Sequence, residues 1–336
     1  MTITIRDVAE AAGVSTATVS RALRGLPNVD ADTRARVKQV ALSMDYVISP
    51  SASRLASGRT GSIGVVTPQV AGWYFSTVLS GIEGALQQGD MDLLLMSVGD
   101  EASSAPREQV APRLNRRVDG VITIALVPED VQLQSVLSLG LPTSLIGVSI
   151  AGVAGVHIDD VAAARTATQH LINLGHRRIA VITGAPPGTL YTAPHARYHG
   201  FIEAMGQAGL AVDPTLQARG YFTIAGGERA MAELLTQSDP PTAVFAMSDE
   251  MAFGAMRALR SHGLQPGREI SIAGIDGHDM AELLDLTTVA QPVRDLGRIA
   301  AESLLDQLRS GDRSVLPSVQ VPTEIILRGS TAPPAH

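Results

Sequence analysis

The sequence predicts an α/β chain: an N-terminal three-helix headpiece of helix-turn-helix plan, followed by a two-lobed body built on parallel sheets. Three observations predict it. Short apolar runs alternate with helical patterns from about residue 62 to residue 309, which is how parallel sheets with helices on both faces are written. Before them, two short helical patterns flank Gly13. Between the two regions lies a Ser- and Ala-rich stretch, residues 49–58. A chain of 336 residues has room for both parts, at roughly 150 residues per domain.

The headpiece begins at Thr4-Ile5-Arg6-Asp7, a capping box in which Asp7 also favours the positive helix end. Val8, Ala9, Ala11 and Ala12 follow on a short helix, whose small alanines permit close helix packing. Gly13 supplies the left-handed turn, and Ser15 caps a second helix that ends at Gly25. A third helix runs from Asp30 to about Met44, with Val37, Val40, Ala41 and Met44 as its apolar face. Periodicity alone fits a small three-helix bundle without a ligand equally well. The linker has Ser49 as a cap, Pro50 at the first helical position and Gly58 just past the end. That describes about two turns of helix, too short to be stable alone.

In the body, strands are expected at 63–67, 93–97, 120–124, 144–148, 179–183, 243–247 and 270–275. Helices are expected at about 76–89, 104–116, 129–138, 160–174, 197–209, 227–237, 249–262 and 294–309. Two sheets fit this length. Open α/β sheets bind ligands beyond the carboxyl ends of their strands, so two facing lobes make a cleft that closes by hinge motion. Candidate contacts sit at those ends: Trp73, Arg197, Phe222, Ser248, Asp276 and Gln291. Arg197 and Asp276 together offer a donor fork and paired acceptors, suited to vicinal hydroxyls or a polar ring. The alternative is an Arg–Asp ion pair that holds the lobes.

Charge is distributed unevenly. Residues 1–60 carry a net +3 and the remainder −10, so a polyanion partner is expected at one end of the chain. There is no cysteine, which excludes disulfides, thiol nucleophiles and Cys-ligated zinc. The N-terminus carries charge early and lacks a long apolar run, so neither a signal peptide nor a membrane anchor is expected, and a cytoplasmic location is. The histidines show no metal spacing, no phosphate-loop lysine is present, and Gly274-Ile275-Asp276-Gly277 is not a dinucleotide fingerprint. No cofactor, metal or catalytic residue is therefore expected.

The residue string narrows the reading further. Ile5 to Ser15, then Thr18-Val19-Ser20-Arg21-Ala22-Leu23, Thr33-Arg34-Ala35-Arg36-Val37, Leu55, Gly58-Arg59-Thr60 and Arg197-Tyr198-His199-Gly200-Phe201 closely resemble the LacI/GalR family of lac repressor-type transcriptional regulators. The resemblance extends to Gly329. It implies a body like a periplasmic binding protein, used as a sensor. It implies that the second helix enters the major groove, with Thr16, Ala17 and Arg21 reading base edges. Arg21 can bond guanine O6 and N7, and Ala17 can meet a thymine methyl. Thr4, Ser20, Asn28 and Thr33 are implied phosphate contacts, and Ser15 completes the DNA-facing set. Leu55 matches the family's minor-groove wedge, on a hinge helix that forms on DNA. The resemblance also places effector contacts at the six cleft positions given above. Ser248 and Gly147 depart from the pattern of sugar-binding relatives, which argues against a simple hexoside.

The implied division is a headpiece at 1–48, a hinge at 49–60 and a sensor at 61–330. Within the sensor, one lobe takes 61–159 and 292–321 and the other 160–290 and 322–330. Residues 331–336 form a disordered tail, whose two prolines and missing heptads exclude a coiled coil. The expected partners are pseudo-palindromic operator DNA, a small-molecule effector (a sugar or sugar derivative), and a second copy in a homodimer. The effector alternative is a purine or other metabolite. A solute receptor for transport would need a secretory signal and no headpiece. An α/β enzyme would need a catalytic constellation at the cleft; the sequence presents none.

Overall fold

The computed structural model describes residues 3–23, 25, 27–46, 59–99, 109–184, 193–311 and 317–335. The expected hinge helix, with Leu55, lies outside the described residues. The chain forms two compact units, Met1–Gly61 and Ser62–His336.

The first unit holds α1 (Ile5–Ala12), α2 (Thr16–Leu23) and α3 (Ala31–Ser43). Val8, Val19, Ala22 and Val37 are completely buried where the three helices meet. Gly13 has φ 67°, the left-handed turn that the helix-turn-helix plan requires.

The strands of the second unit are β1 (Ser62–Thr67), β2 (Asp92–Ser97), β3 (Gly120–Ile124), β4 (Thr143–Ile146), β5 (Ala154–His157), β6 (Ile179–Thr183), β7 (Gln217–Arg219), β8 (Ala243–Ala246), β9 (Ser271–Asp276), β10 (Thr287–Ala290), β11 (Val319–Gln320) and β12 (Glu324–Ile326). One sheet has the order β11-β5-β4-β3-β1-β2 and the other β12-β10-β9-β8-β6-β7. Every pairing is parallel except β10 with β12. The first sheet defines lobe N and the second lobe C.

The helices of this unit are α4 (Trp73–Gln88), α5 (Ala111–Leu114), α6 (Val131–Leu137), α7 (Asp160–Asn173), α8 (Ala193–Gln207), α9 (Ile224–Leu235), α10 (Asp249–Ser261), α11 (Met280–Leu283) and α12 (Val293–Ser310). The chain crosses between lobes three times. β5 leads into α7, which packs on α8, β9 and β10; β10 leads into α12, which packs on α4, β3, β4 and β5; β11 leads to β12. Lobe N is closed by the α4–α12 pair. There Gly81 faces the Arg294 carbonyl and Gly297 faces the Val78 carbonyl so closely that a β-carbon on either would collide with backbone.

The parallel α/β plan and the three-helix head agree with the sequence reading. Some elements differ. Of the helix expected over 104–116, residues 104–108 lie outside the described set, and the rest supplies the single turn of α5. Five strands escaped the sequence reading: β5, β7, β10, β11 and β12. They are two to four residues long, and several are rich in Ala, Gly or Thr, so no apolar run announces them. The tail is not free over 331–335. The Thr331 hydroxyl bonds His170 at 2.9 Å, the Ala332 N–H donates to Ser271 Oγ at 3.0 Å, and the Ala332 carbonyl lies 2.9 Å from His176 Nε2. Unpaired polar groups on His176 and Ser271 would be costly inside lobe C, and the tail satisfies them.

Candidate functional site

The first unit presents a reading surface through α2. Val19 and Ala22 fix the buried face of that helix, which leaves Thr16, Ala17 and Arg21 exposed on the other. The helix opens on Ser15, whose Oγ accepts from the Thr18 N–H at 3.1 Å. Thr4 is exposed before α1; its N–H and its hydroxyl both donate to Asp7 Oδ2, at 2.7 and 2.8 Å. Those two bonds hold the Asp7 carboxyl below its usual range. Asn28 is exposed with φ 67°, in the turn before α3. Thr33 donates its N–H to the cap Asp30 at 2.8 Å, and Ser20 is half-buried.

In the second unit, a cavity of about 90 Å³ lies between the lobes at the carboxyl ends of both sheets. Lobe N contributes Gln69, Tyr74, Phe75 and Gly147; lobe C contributes Arg197, Phe222, Ser248, Glu250 and Asp276; the crossover segments contribute Ile158, Asp160 and Gln291. Five of the six expected contacts therefore meet in one place. Trp73 does not line the cavity. As the first residue of α4 it packs against His278 and Asp279 of lobe C.

Polar groups converge on the floor. Arg197 Nε donates to Asp160 Oδ1 at 2.7 Å, and its Nη1 donates to the Met247 carbonyl and, at 3.4 Å, to Asp276 Oδ1. Gln291 Nε2 donates to the same Asp276 oxygen at 2.8 Å. The Asp276 carboxylate also accepts from the Asp249 N–H, at the start of α10. One carboxylate thus ties a lobe C strand end to a crossover and to a helix N-terminus. Burial alone would lower the Arg197 pKa, but Asp160 and Asp276 more than reverse this, so its charge is locked.

Asp249 is completely buried, bonded by the Thr288 hydroxyl at 2.7 Å and the His278 N–H at 2.8 Å. Burial raises it, and the neighbouring Asp276 charge adds to the rise. Burial raises Asp276 as well, but Arg197 and Gln291 pull it back. Both carboxyls of this adjacent pair are thus raised by burial. Asp276 has φ 143°, a conformation that favours glycine, and Phe222 and Ala125 on the cavity wall have φ 53° and 54°. Strain held at a cavity wall is a mark of a working site.

Asp160 and Glu250 are not marked by the sequence, and in the run Trp73-Tyr74-Phe75 after the first strand the expected contact falls on Trp73 and not on Tyr74. Asp160 and Glu250 each stand in the first turn of a helix, where an acid is already accounted for by the helix dipole. Tyr74 lies next to Trp73, and period alone does not tell which of two adjacent aromatic residues turns inward. Burial raises the Tyr74 phenol, keeping it a neutral hydroxyl. Among the described residues no cluster of His, Cys, Asp and Glu could hold a metal ion, and no helix is long and apolar enough to cross a membrane.

Comparison with known proteins places both units. Residues 4–49 match the family described as bacterial regulatory proteins, lacI family, and residues 168–331 match the periplasmic binding protein-like domain. The HTH-type transcriptional repressor CytR of Escherichia coli K12 is 36% identical, over 98% of this chain and 96% of its own length. The lac repressor dimer bound to operator and the anti-inducer ONPF superposes with a TM-score of 0.87 at 27% identity, covering 99% of this chain and 100% of that one. A LacI family regulator from Enterococcus faecium with bound ribose gives 0.71 at 32% identity, covering 81% and 99%. The chain belongs to the lacI family of bacterial regulatory proteins, as a DNA-binding transcriptional regulator with a helix-turn-helix head and a sensor of periplasmic-binding-protein type.

Proposed function

We propose that this protein is a repressor that binds a pseudo-palindromic operator as a homodimer and releases or tightens its hold when a sugar or sugar derivative enters the cleft. It acts by binding, without turnover and without a cofactor, in the cytoplasm. The observation that carries the effector reading is the floor made by Asp160, Arg197, Asp276 and Gln291 facing the rings of Tyr74, Phe75 and Phe222. Forked donors and paired acceptors beside apolar rings suit a small polyhydroxylated ring, whose edge bonds and whose face stacks. A cavity of about 90 Å³ favours one ring over two, since roughly 15 Å³ of such space holds one water.

On DNA, Thr16, Ala17 and Arg21 read bases; Thr4, Ser15, Ser20, Asn28 and Thr33 position the backbone; Leu55 wedges the minor groove. Cleft contacts are Arg197, Phe222, Ser248, Asp276 and Gln291. A purine or nucleoside effector is the second reading, favoured by Phe222, whose ring is held at the cavity wall in a strained backbone conformation.

The test has two arms. Selection of the full chain against random duplexes should enrich a twofold-symmetric site. A thermal-shift panel of ribose, other pentoses, hexoses, disaccharides, purines and nucleosides should raise the melting temperature for one chemical class, and that ligand should change operator affinity. Enrichment of no sequence would overturn the repressor. A ligand that is consumed would overturn the absence of turnover.

A further inference from the structure

The Trp73 ring makes its contacts outside the cavity and across the gap between the lobes. Its ring stacks on His278, with centroids 4.5 Å apart and planes inclined by 27°. Its indole N–H donates to Asp279 Oδ2 at 3.0 Å. Its backbone N–H, at the start of α4, donates to the Glu250 carboxylate of α10. On the far side of His278, Phe253 meets the imidazole edge-on at 5.0 Å. Three separate bonds or ring contacts therefore join one lobe N residue to two lobe C segments.

Both halves are anchored. Trp73 opens a helix that is seated on α12 backbone to backbone through Gly81 and Gly297. His278 donates its N–H to the buried Asp249, and its loop leaves the strand end at Asp276, the carboxylate that Arg197 and Gln291 hold. Asp276 and His278 both bond Asp249, which links the cavity floor to the His278 loop.

We propose that Trp73, His278 and Asp279 form an interlobe clasp: Trp73 is a positioning residue that sets how far the cleft closes, and it does not touch the bound molecule. Retention of a ligand then depends on residues outside the cavity, an inference that rests on the effector reading above only for its consequence and not for the clasp itself. Stacked rings attract one another, and both rings of this clasp are half-buried.

The absence of cysteine allows a direct test. Glu129→Cys and Ala225→Cys place spin labels at exposed positions that follow strand ends of lobe N and lobe C. In the ligand-free chain the label distance should be short and narrowly distributed. Trp73→Ala should lengthen it by several ångströms and broaden it. Trp73→Phe keeps a ring but loses the indole donor, and should fall between, as should Asp279→Asn. Trp73 is also the sole tryptophan, so His278→Ala should make its emission more accessible to acrylamide. Melting temperatures within a few degrees of the parent show that each variant is folded. A parent chain already open, or an unchanged distance in Trp73→Ala, would overturn the clasp and leave the effector assignment untouched. An opened Trp73→Ala chain supports it whether or not the ligand panel finds an effector.

Discussion

Arg197 shows how a single side chain serves two purposes. It is the donor fork that a ligand would meet, and it is the cation that neutralises Asp160 and Asp276. Replacing it with alanine leaves the buried Asp276 and the half-buried Asp160 without their cation, and breaking a buried pair typically costs about 3–5 kcal/mol. Arg197→Ala should therefore melt well below the parent. Arg197→Ala with Asp276→Asn should recover part of the loss, because one stranded charge is gone. Arg197→Lys keeps charge without the fork, so it should stay folded and lose the ligand response. A stable Arg197→Ala chain in calorimetry would show that the pair carries no such weight. Arg21 is the contrasting case: exposed, outside the packing of α2, and free to be tested by binding alone. Arg21→Ala should weaken the selected operator by about 1–3 kcal/mol and random DNA much less. Equal losses at fixed salt would make it a phosphate contact.

At the scale of elements, helix pairs set the lobes. α4 and α12 approach backbone to backbone at Gly81 and Gly297, where an added β-carbon would strike a carbonyl. Gly81→Ala must push the helices apart, at a cost of about 1–3 kcal/mol for overpacking. Its effect should appear in the melting of the second unit and not in that of the headpiece, which differential scanning calorimetry resolves if the units melt separately. An unshifted transition would mean that the pair has slack. The sequence made the long elements legible because their periods are long enough to count: β1, β3, α4, α10 and α12 lie within a few residues of expectation. It hid β10 (Thr287–Ala290) and β5 (Ala154–His157), whose strand character comes from their neighbours in the sheet. The site was legible where strand ends were, at Ser248 and Asp276. It was illegible at Asp160, since only the fold brings a crossover to face a helix 37 residues later. Trp73 was misplaced for a related reason: its position after β1 was right, but its partners come from lobe C.

At the scale of the molecule, the two units have opposite charge, and the second is threaded together by its own C-terminus. Residues 331–335 run along lobe C, and two histidines hold them. His176 is buried between Thr242, Ser271 and the Ala332 carbonyl; His170 meets the Thr331 hydroxyl. Burial lowers both; the bond to Ala332 pulls His176 partly back, and the neighbouring His176 lowers His170 further. Free histidine in the unfolded chain binds its proton near pH 6.5. Since the folded values lie lower, the unfolded chain takes up more protons in the interval between them. The stability these groups contribute is fully present above pH 6.5 and is lost as pH falls through the folded values. His278, also lowered by burial, adds in the same direction. Asp249 has the opposite sign, because its raised carboxyl contributes below the ordinary carboxylate range and loses that contribution as pH rises. The two kinds of term oppose each other over the same acidic interval, and the histidine part of the slope belongs in part to the strap. Melting temperatures of the parent, His176→Gln and His170→Gln between pH 5 and 8 separate the terms. The variants should start lower at pH 8 and fall less steeply toward pH 5, since the group that would be forced to charge is gone. Parallel acid limbs in all three chains would show that the strap is held independently of histidine protonation.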